Sequence, residues 1–138
     1  MGKLDGRCLC GAITYNSDAE PAFTAICHCR DCQRQSGAAF SIIVGVPKAE
    51  LQLSGELSTH ATVGEDHGRE TQRQFCGACG SPILSLSDAM PEIAFIKAGT
   101  LDDPSWLQPQ LEVWGKSAHP WVAEVEGRPR MERGPQAG

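Results

Sequence analysis

Aromatic side chains are scarce: 6% of 138 residues, with one tyrosine, three tryptophans and four phenylalanines. With 15 glycines and 9 prolines as well, a core built from side-chain bulk alone would be thin, and something besides packing has to help hold it. Long apolar runs are missing. The best, residues 38–46, falls well short of the ~18 residues of a membrane span. The opening MGKLDGRCLC has no apolar leader segment, and Gly6 stands where a myristoylation signal needs Ser or Thr, so a cytoplasmic protein with no membrane attachment is expected. Charge of one sign is missing too. Twelve basic against seventeen acidic residues give a formal charge of −5, which argues against a basic nucleic-acid groove. An apolar content of 41% excludes a disordered chain. There is no Gly-rich phosphate loop, nucleophile elbow or dinucleotide fingerprint.

Strand signals dominate what is present. Short β-branched or aromatic stretches predict strands over residues 9–15, 23–27, 39–46, 51–54, 70–75, 83–86, 93–97, 111–114 and 121–125. Turn signals at Asp5-Gly6, Ser54-Gly55, Val63-Gly64, 88–91, 102–104 and Gly127 separate them. Pro47 ends the longest strand because it cannot donate to a ladder. One short helix is predicted over residues 30–36, stopped by Gly37; its polar content makes it a surface turn. The expectation is an all-β or nearly all-β chain, a folded sheet or open barrel. Residues 1–127 form a single domain, and 128–138 a loosely ordered, locally basic, solvated tail.

The chemistry lies in seven cysteines: Cys8 and Cys10, then Cys27, Cys29 and Cys32, then Cys76 and Cys79. An odd number in a reducing compartment argues against a disulfide framework. Cys76-Gly-Ala-Cys79-Gly has the form of a zinc knuckle, with glycines that let the backbone turn round a metal. The simplest partition puts Cys8, Cys10, Cys76 and Cys79 on one zinc as a closed, structural site. Cys27, Cys29 and Cys32 are left for a second zinc with one open corner, the pattern of catalytic sites. Two alternatives stay open from spacing: a fourth ligand from His60, His67, His119 or Asp31, and a partition in which Cys8 and Cys10 join the three-cysteine cluster. Two zincs on seven thiolates would bring the formal charge to about −8. An open three-thiolate zinc is soft and suits a substrate thiol, whose pKa it lowers.

His28 sits between two ligands, so its side chain is expected to point away and hydrogen-bond locally. His119 reads as a structural histidine. Gln33, Gln35 and Ser36 read as solvated, with the open zinc corner as the other role. Arg30 and Arg34 read as surface residues that could offset the thiolates or meet an anionic substrate. Trp106, Trp114 and Trp121 read as core or pocket wall.

Together the stretches GRCLCGAITY (6–15), CHCRDCQRQSGAAF (27–40), FCGACGSP (75–82), AGTLDD (98–103) and AHPWV (118–122) resemble the glutathione-dependent formaldehyde-activating enzyme family, also called the CENP-V/GFA family. The resemblance runs over roughly residues 4–125. It implies a mainly β, zinc-containing fold of the β-tent (Mss4-like) group with short helical turns. It also implies a structural zinc on Cys8, Cys10, Cys76 and Cys79 and a second zinc on Cys27, Cys29 and Cys32. A three-ligand site gives up its metal more readily on purification than a four-ligand one.

The activity implied is that of a carbon–sulfur lyase, or synthase, that adds glutathione or a similar thiol to formaldehyde or a related aldehyde. Its partners would then be a small-molecule thiol and an aldehyde. No residue beyond the second-zinc ligands is assigned to catalysis. This chain is shorter than the namesake enzyme, so glutathione recognition is not carried over. The competing expectation is a non-catalytic zinc module that binds a small thiol or carbonyl compound, or a protein partner.

Overall fold

A computed structural model describes residues 4–64 and 68–134. The chain is mainly β, as the strand signals predict. Leu4–Arg7 (β1), Thr14–Ser17 (β2) and Leu51–Ser54 (β5) form a three-stranded sheet in the order β1-β2-β5. Phe23–Cys27 (β3), Ser41–Pro47 (β4), Leu57–Val63 (β6), Glu70–Cys76 (β7), Pro82–Ser87 (β8), Ile93–Lys97 (β9) and Leu111–Val113 (β10) form a seven-stranded sheet. Its order is β10-β3-β4-β9-β8-β7-β6. Neighbours run antiparallel except β10, which lies parallel to β3. Arg30–Ser36 is the α-helix, α1.

The larger sheet has two different faces, and the register shows how. One cross-strand row is Thr24, Val44, Ile96, Leu84 and Gln74; another is Val46, Ala94 and Leu86. Its apolar members pack with Leu4, Ile13 and Tyr15 from the side of the smaller sheet, making the core between the sheets. Val44, Val46, Ala94 and Ile96 are fully buried there, and each of the valines and the isoleucine contributes about 1.5–3 kcal/mol. The opposite face carries the row Leu111, Ala25, Ile43 and Lys97, and the row Phe23, Gly45, Phe95, Ser85 and Arg73. Cys27 lies on this second face beside Ser41 and Val113.

Several predicted features differ in the structure. Of the strand predicted over residues 9–15 only 14 and 15 are strand, residues 9–12 being the turn that carries Cys10 and Gly11. Asp5-Gly6 is not a turn but part of β1, where Gly6 pairs with Tyr15. A Cβ at Gly6 would fall 2.2 Å from the Tyr15 hydroxyl, so glycine is there to let the ring lie across the strand. The edge strand β6 was not predicted. Residues 121–125 have strand-forming side chains but no partner strand, and they turn instead, with Trp121 71% exposed.

Residues 128–133, read as the start of a solvated tail, run beside β10. The Glu112 amide donates to the Pro129 carbonyl at 2.9 Å, and the Met131 amide donates to the Glu112 carbonyl at 2.8 Å.

Candidate functional site

Two turns from different sheets bring four cysteines together. Cys8 and Cys10 lie in the turn after β1. Cys76 ends β7, and Cys79 lies in the turn before β8. All four sulfurs lie within 4.8 Å of one another, with Cys8 to Cys10 at 3.6 Å and Cys10 to Cys76 at 3.8 Å. Sulfurs bound tetrahedrally to zinc at 2.3 Å would be about 3.8 Å apart, so this donor set fits such an ion. Both turns are built alike. The Gly11 amide donates to the Cys8 carbonyl, and the Gly80 amide to the Cys76 carbonyl. Both glycines have left-handed φ, at 83° and 82°. The Ser81 hydroxyl and amide draw the Cys79 thiol down to about 5.

The other three cysteines gather where β3 gives way to α1. Cys27 ends the strand and is buried; Cys29 is the helix N-cap, its sulfur accepting from the Cys32 amide at 3.3 Å. Cys32 is buried in the first turn. Their sulfurs also lie within 4.8 Å of one another, and among the described residues no His, Asp or Glu joins them. Hydrogen bonds from Cys27 and Cys29, then the charges of Lys97 and Arg73, hold Cys32 well below the ordinary thiol range. Cys27 lies well above it, chiefly through its bonds to Cys29 and Cys32.

A cavity of about 520 Å³ opens beside this cluster, on the second face of the larger sheet. Of the four cations that line it, Arg73 and Lys97 are set back from the exposed rim. Arg73 of β7 donates to Cys32 Sγ at 3.7 Å, to Gln35 Oε1 at 2.8 Å and to Thr62 Oγ1 at 2.9 Å. Lys97 of β9 is buried and donates to Ser41 Oγ at 3.0 Å. Three thiolates with one divalent ion carry a net charge of about −1, which Arg73 and Lys97 outweigh, so a further anionic sulfur would be accommodated.

A sequence model described as glutathione-dependent formaldehyde-activating enzyme matches residues 3–117. The chain belongs to this family. Relatives named "Putative glutathione-dependent formaldehyde-activating enzyme" include one from Aspergillus flavus, 26% identical over 109 residues, covering 75% of this chain and 56% of the relative. Another, from Podospora anserina, is 26% identical over 116 residues, covering 80% and 54%. The chain thus spans little more than half the length of these relatives. A crystal structure of a Rhodobacter sphaeroides protein aligns with a TM-score of 0.57 at 20% identity, covering 76% of this chain and 91% of that one. At that identity the likeness is one of fold.

In this member of the GFA family, a buried ionic cluster backs the three-cysteine loop. His28 is fully buried and donates from Nε2 to Glu112 Oε1 at 2.6 Å. Arg130 Nε reaches the same oxygen at 2.7 Å, and Arg128 Nε reaches Oε2 at 2.9 Å. Burial pushes the Glu112 carboxyl up, but the bonds from His28, Arg130 and Arg128 outweigh it and hold the group below its usual range. His28 therefore points away from the cysteine sulfurs, and the two arginines are paired and largely covered rather than freely solvated.

Gln33 is a further correction. It is buried and donates to the His28 carbonyl at 2.7 Å and the Ser117 carbonyl at 3.1 Å, so α1 is pinned rather than merely resting on the surface. Ser36 donates to the Cys32 carbonyl at 2.8 Å. Arg30 donates to Gln33 and stands at the exposed cavity rim with Asp31. Arg34 is exposed.

Among the described residues, the candidate fourth ligands do not converge on the cluster. His60 is exposed on β6, and His119 stacks on the exposed Trp121 ring at 4.9 Å. His67 lies outside the described residues. Trp114, at φ 59°, forms part of the cavity wall. Trp106 borders a separate groove.

Sequence reasoning missed Arg73, Lys97, Ser85 and Glu112. The available signal was a charged residue inside an otherwise apolar strand, as in Ile-Ala-Phe-Ile-Lys97 and Leu-Glu112-Val. A charge buried at such a place has to be paired, so it marks a built polar site.

Proposed function

We propose that this protein joins a thiol to formaldehyde or another small aldehyde, with two zinc ions per chain. Cys8, Cys10, Cys76 and Cys79 hold a closed structural zinc that ties the two sheets together. Cys27, Cys29 and Cys32 would hold a second zinc at the cavity wall. The observation that carries this reading is the three-sulfur cluster, without a fourth protein ligand among the described residues, beside a cavity containing Arg73 and Lys97. Membership of the GFA family supports the choice of reaction.

When bound by these three thiolates, zinc supplies a soft Lewis acid that lowers the pKa of a thiol. The chain's own residues do the rest. Arg73 holds Cys32 and Gln35 in place, fixing one side of the thiol pocket. Lys97 offers Nζ–H donors in the cavity, suited to an aldehyde oxygen as negative charge develops there. In the reaction a carbon–sulfur bond forms, the carbonyl π pair moves to oxygen, and the proton lost by sulfur is matched by one gained at oxygen. No oxidant or reductant is consumed.

Exchange NMR on formaldehyde mixed with glutathione, or with simpler thiols, tests the proposal. The zinc-loaded protein should raise the exchange rate above the spontaneous one, and Cys29→Ala, with its metal content measured, should not. No acceleration with any thiol at two zincs per chain would overturn it.

A further inference from the structure

We infer that the cavity beside Cys27, Cys29 and Cys32 is shaped for a thiol with a compact apolar body and one acceptor group, rather than for a multiply charged peptide thiol. The inference rests on the thiol-binding reading above and names the substrate class of that site. Its first ground is the cavity wall. Phe23, Ala25, Ile43, Phe95, Leu111 and Val113 line it. They occupy one face of β3, β4, β9 and β10 in mutual register. The Phe23 and Phe95 rings meet at 5.9 Å across Gly45. A Cβ at Gly45 would fall 2.5 Å from the Phe23 ring, so glycine lets that ring lie flat on the sheet. Such a wall gains from covering apolar surface and penalises charges set against it without partners.

The second ground is an unsatisfied hydroxyl. Ser85 is only 6% exposed, lines the same cavity, and its Oγ has no hydrogen-bond partner. A buried polar atom left in this state is costly unless a ligand or water meets it. Ser85 on β8 stands opposite Phe95 on β9, so Lys97, two residues along β9, is its diagonal neighbour on the same face. Ser85 Oγ–H is one donor at this end of the cavity; the Lys97 ammonium has three, of which one is on Ser41, leaving one for the aldehyde oxygen and one for a carboxylate or carbonyl oxygen of the thiol. Of the other lining cations, Arg73 is already engaged by Thr62, Cys32 and Gln35, and Arg30 and Lys116 are on the exposed rim, where solvent screens them. Glutathione carries two carboxylates and an ammonium; besides the aldehyde oxygen, the Ser85–Lys97 end has hydrogen-bond donors for one acceptor group of the thiol.

Calorimetric titration of the chain loaded with two zincs separates the possibilities. The probes are glutathione, 2-mercaptoethanol, benzyl mercaptan and 2-benzyl-3-sulfanylpropanoate, which combines a thiol, a ring and one carboxylate. Cys29→Ala serves as the control for binding at the cluster. Benzyl mercaptan is expected to bind on the order of tenfold or more tighter than 2-mercaptoethanol and glutathione. The carboxylate thiol should bind tighter still. Ser85→Ala should weaken only the carboxylate thiol, by roughly fivefold. Glutathione binding as tightly as benzyl mercaptan would overturn the inference while leaving the proposed function standing. A carboxylate thiol that gains nothing over benzyl mercaptan, or that ignores Ser85→Ala, would overturn the assignment of the polar end. If no thiol showed binding that depends on Cys29, the proposed function itself would fall.

Discussion

Replacing Glu112 by alanine removes the one carboxylate on which His28, Arg128 and Arg130 converge. The donors are not equally able to escape. His28 has 0% side-chain exposure, so its Nε2–H has no water to turn to. Arg130 and Arg128 are exposed by 12% and 21% and can partly rehydrate. Stranding one side of a buried pair typically costs about 3–5 kcal/mol, and the partial escape of the arginines places Glu112→Ala toward the lower end. With a urea slope of about 1–3 kcal/mol/M, the unfolding midpoint should fall by about 1–3 M.

The assay is urea unfolding of the zinc-loaded protein in excess zinc. A double-mutant cycle with Arg130→Ala should give a coupling of about 1 kcal/mol or more. A midpoint within about 0.3 M of wild type, or strictly additive single effects, would refute the reasoning. The consequence reaches the proposed second zinc site, because His28 lies between Cys27 and Cys29. Glu112→Ala should also release zinc to a chelator faster than wild type.

The same carboxylate sets a pH dependence. Its folded pKa is lowered, so its stabilising contribution is present above the unfolded value of about 4.3 and fades as pH falls through the lower folded value. The difference in urea midpoint between wild type and Glu112→Gln should therefore be constant at neutral pH and shrink below about pH 4. Cys79→Ser should leave one zinc per chain in metal analysis and lower the unfolding midpoint by the largest amount of any single change, since metal binding here is folding energy. Gly6→Ala should cost about 1–3 kcal/mol in denaturant unfolding, because its Cβ would fall 2.2 Å from the Tyr15 hydroxyl and the ring must move. Lys97→Met should slow any thiol–aldehyde exchange by about tenfold or more while leaving zinc content unchanged, as expected for loss of a donor to developing oxygen charge.

Much of the fold was legible because local pattern and tertiary context agree. The predicted bounds of β3, β5, β9 and α1 match those observed, and Gly37 does stop the helix, with φ 66°. The three cysteine clusters were legible for the same reason, since spacing within each is local; which two of them meet is decided by the tertiary fold, which brings Cys10 to Cys76. The errors lie where a distant partner decides. Leu57–Val63 is a mostly exposed edge strand with a Ser-Thr-His centre, so it lacks the apolar alternation that marks a strand. Residues 121–125 have the propensity but no neighbour to pair with. Gly6 reads as a turn until Tyr15 is laid across it. The ion cluster is hidden for a related reason: His28 and Glu112 are 84 positions apart, and nothing local to Arg128 or Arg130 says that a buried carboxylate waits for them. Arg73 and Lys97 reach the cavity only through the register of β7, β8 and β9.

The central claim is that the chain holds two chemically different metal sites, one closed by four sulfurs and one open to a thiol. Cadmium-113 NMR of the cadmium-substituted protein examines both at once, since each site gives its own resonance. The account predicts two resonances, of which a single one moves on addition of a thiol, and that one is the resonance lost in Cys29→Ala. A lone resonance, or two that stay fixed whatever thiol is added, would contradict it.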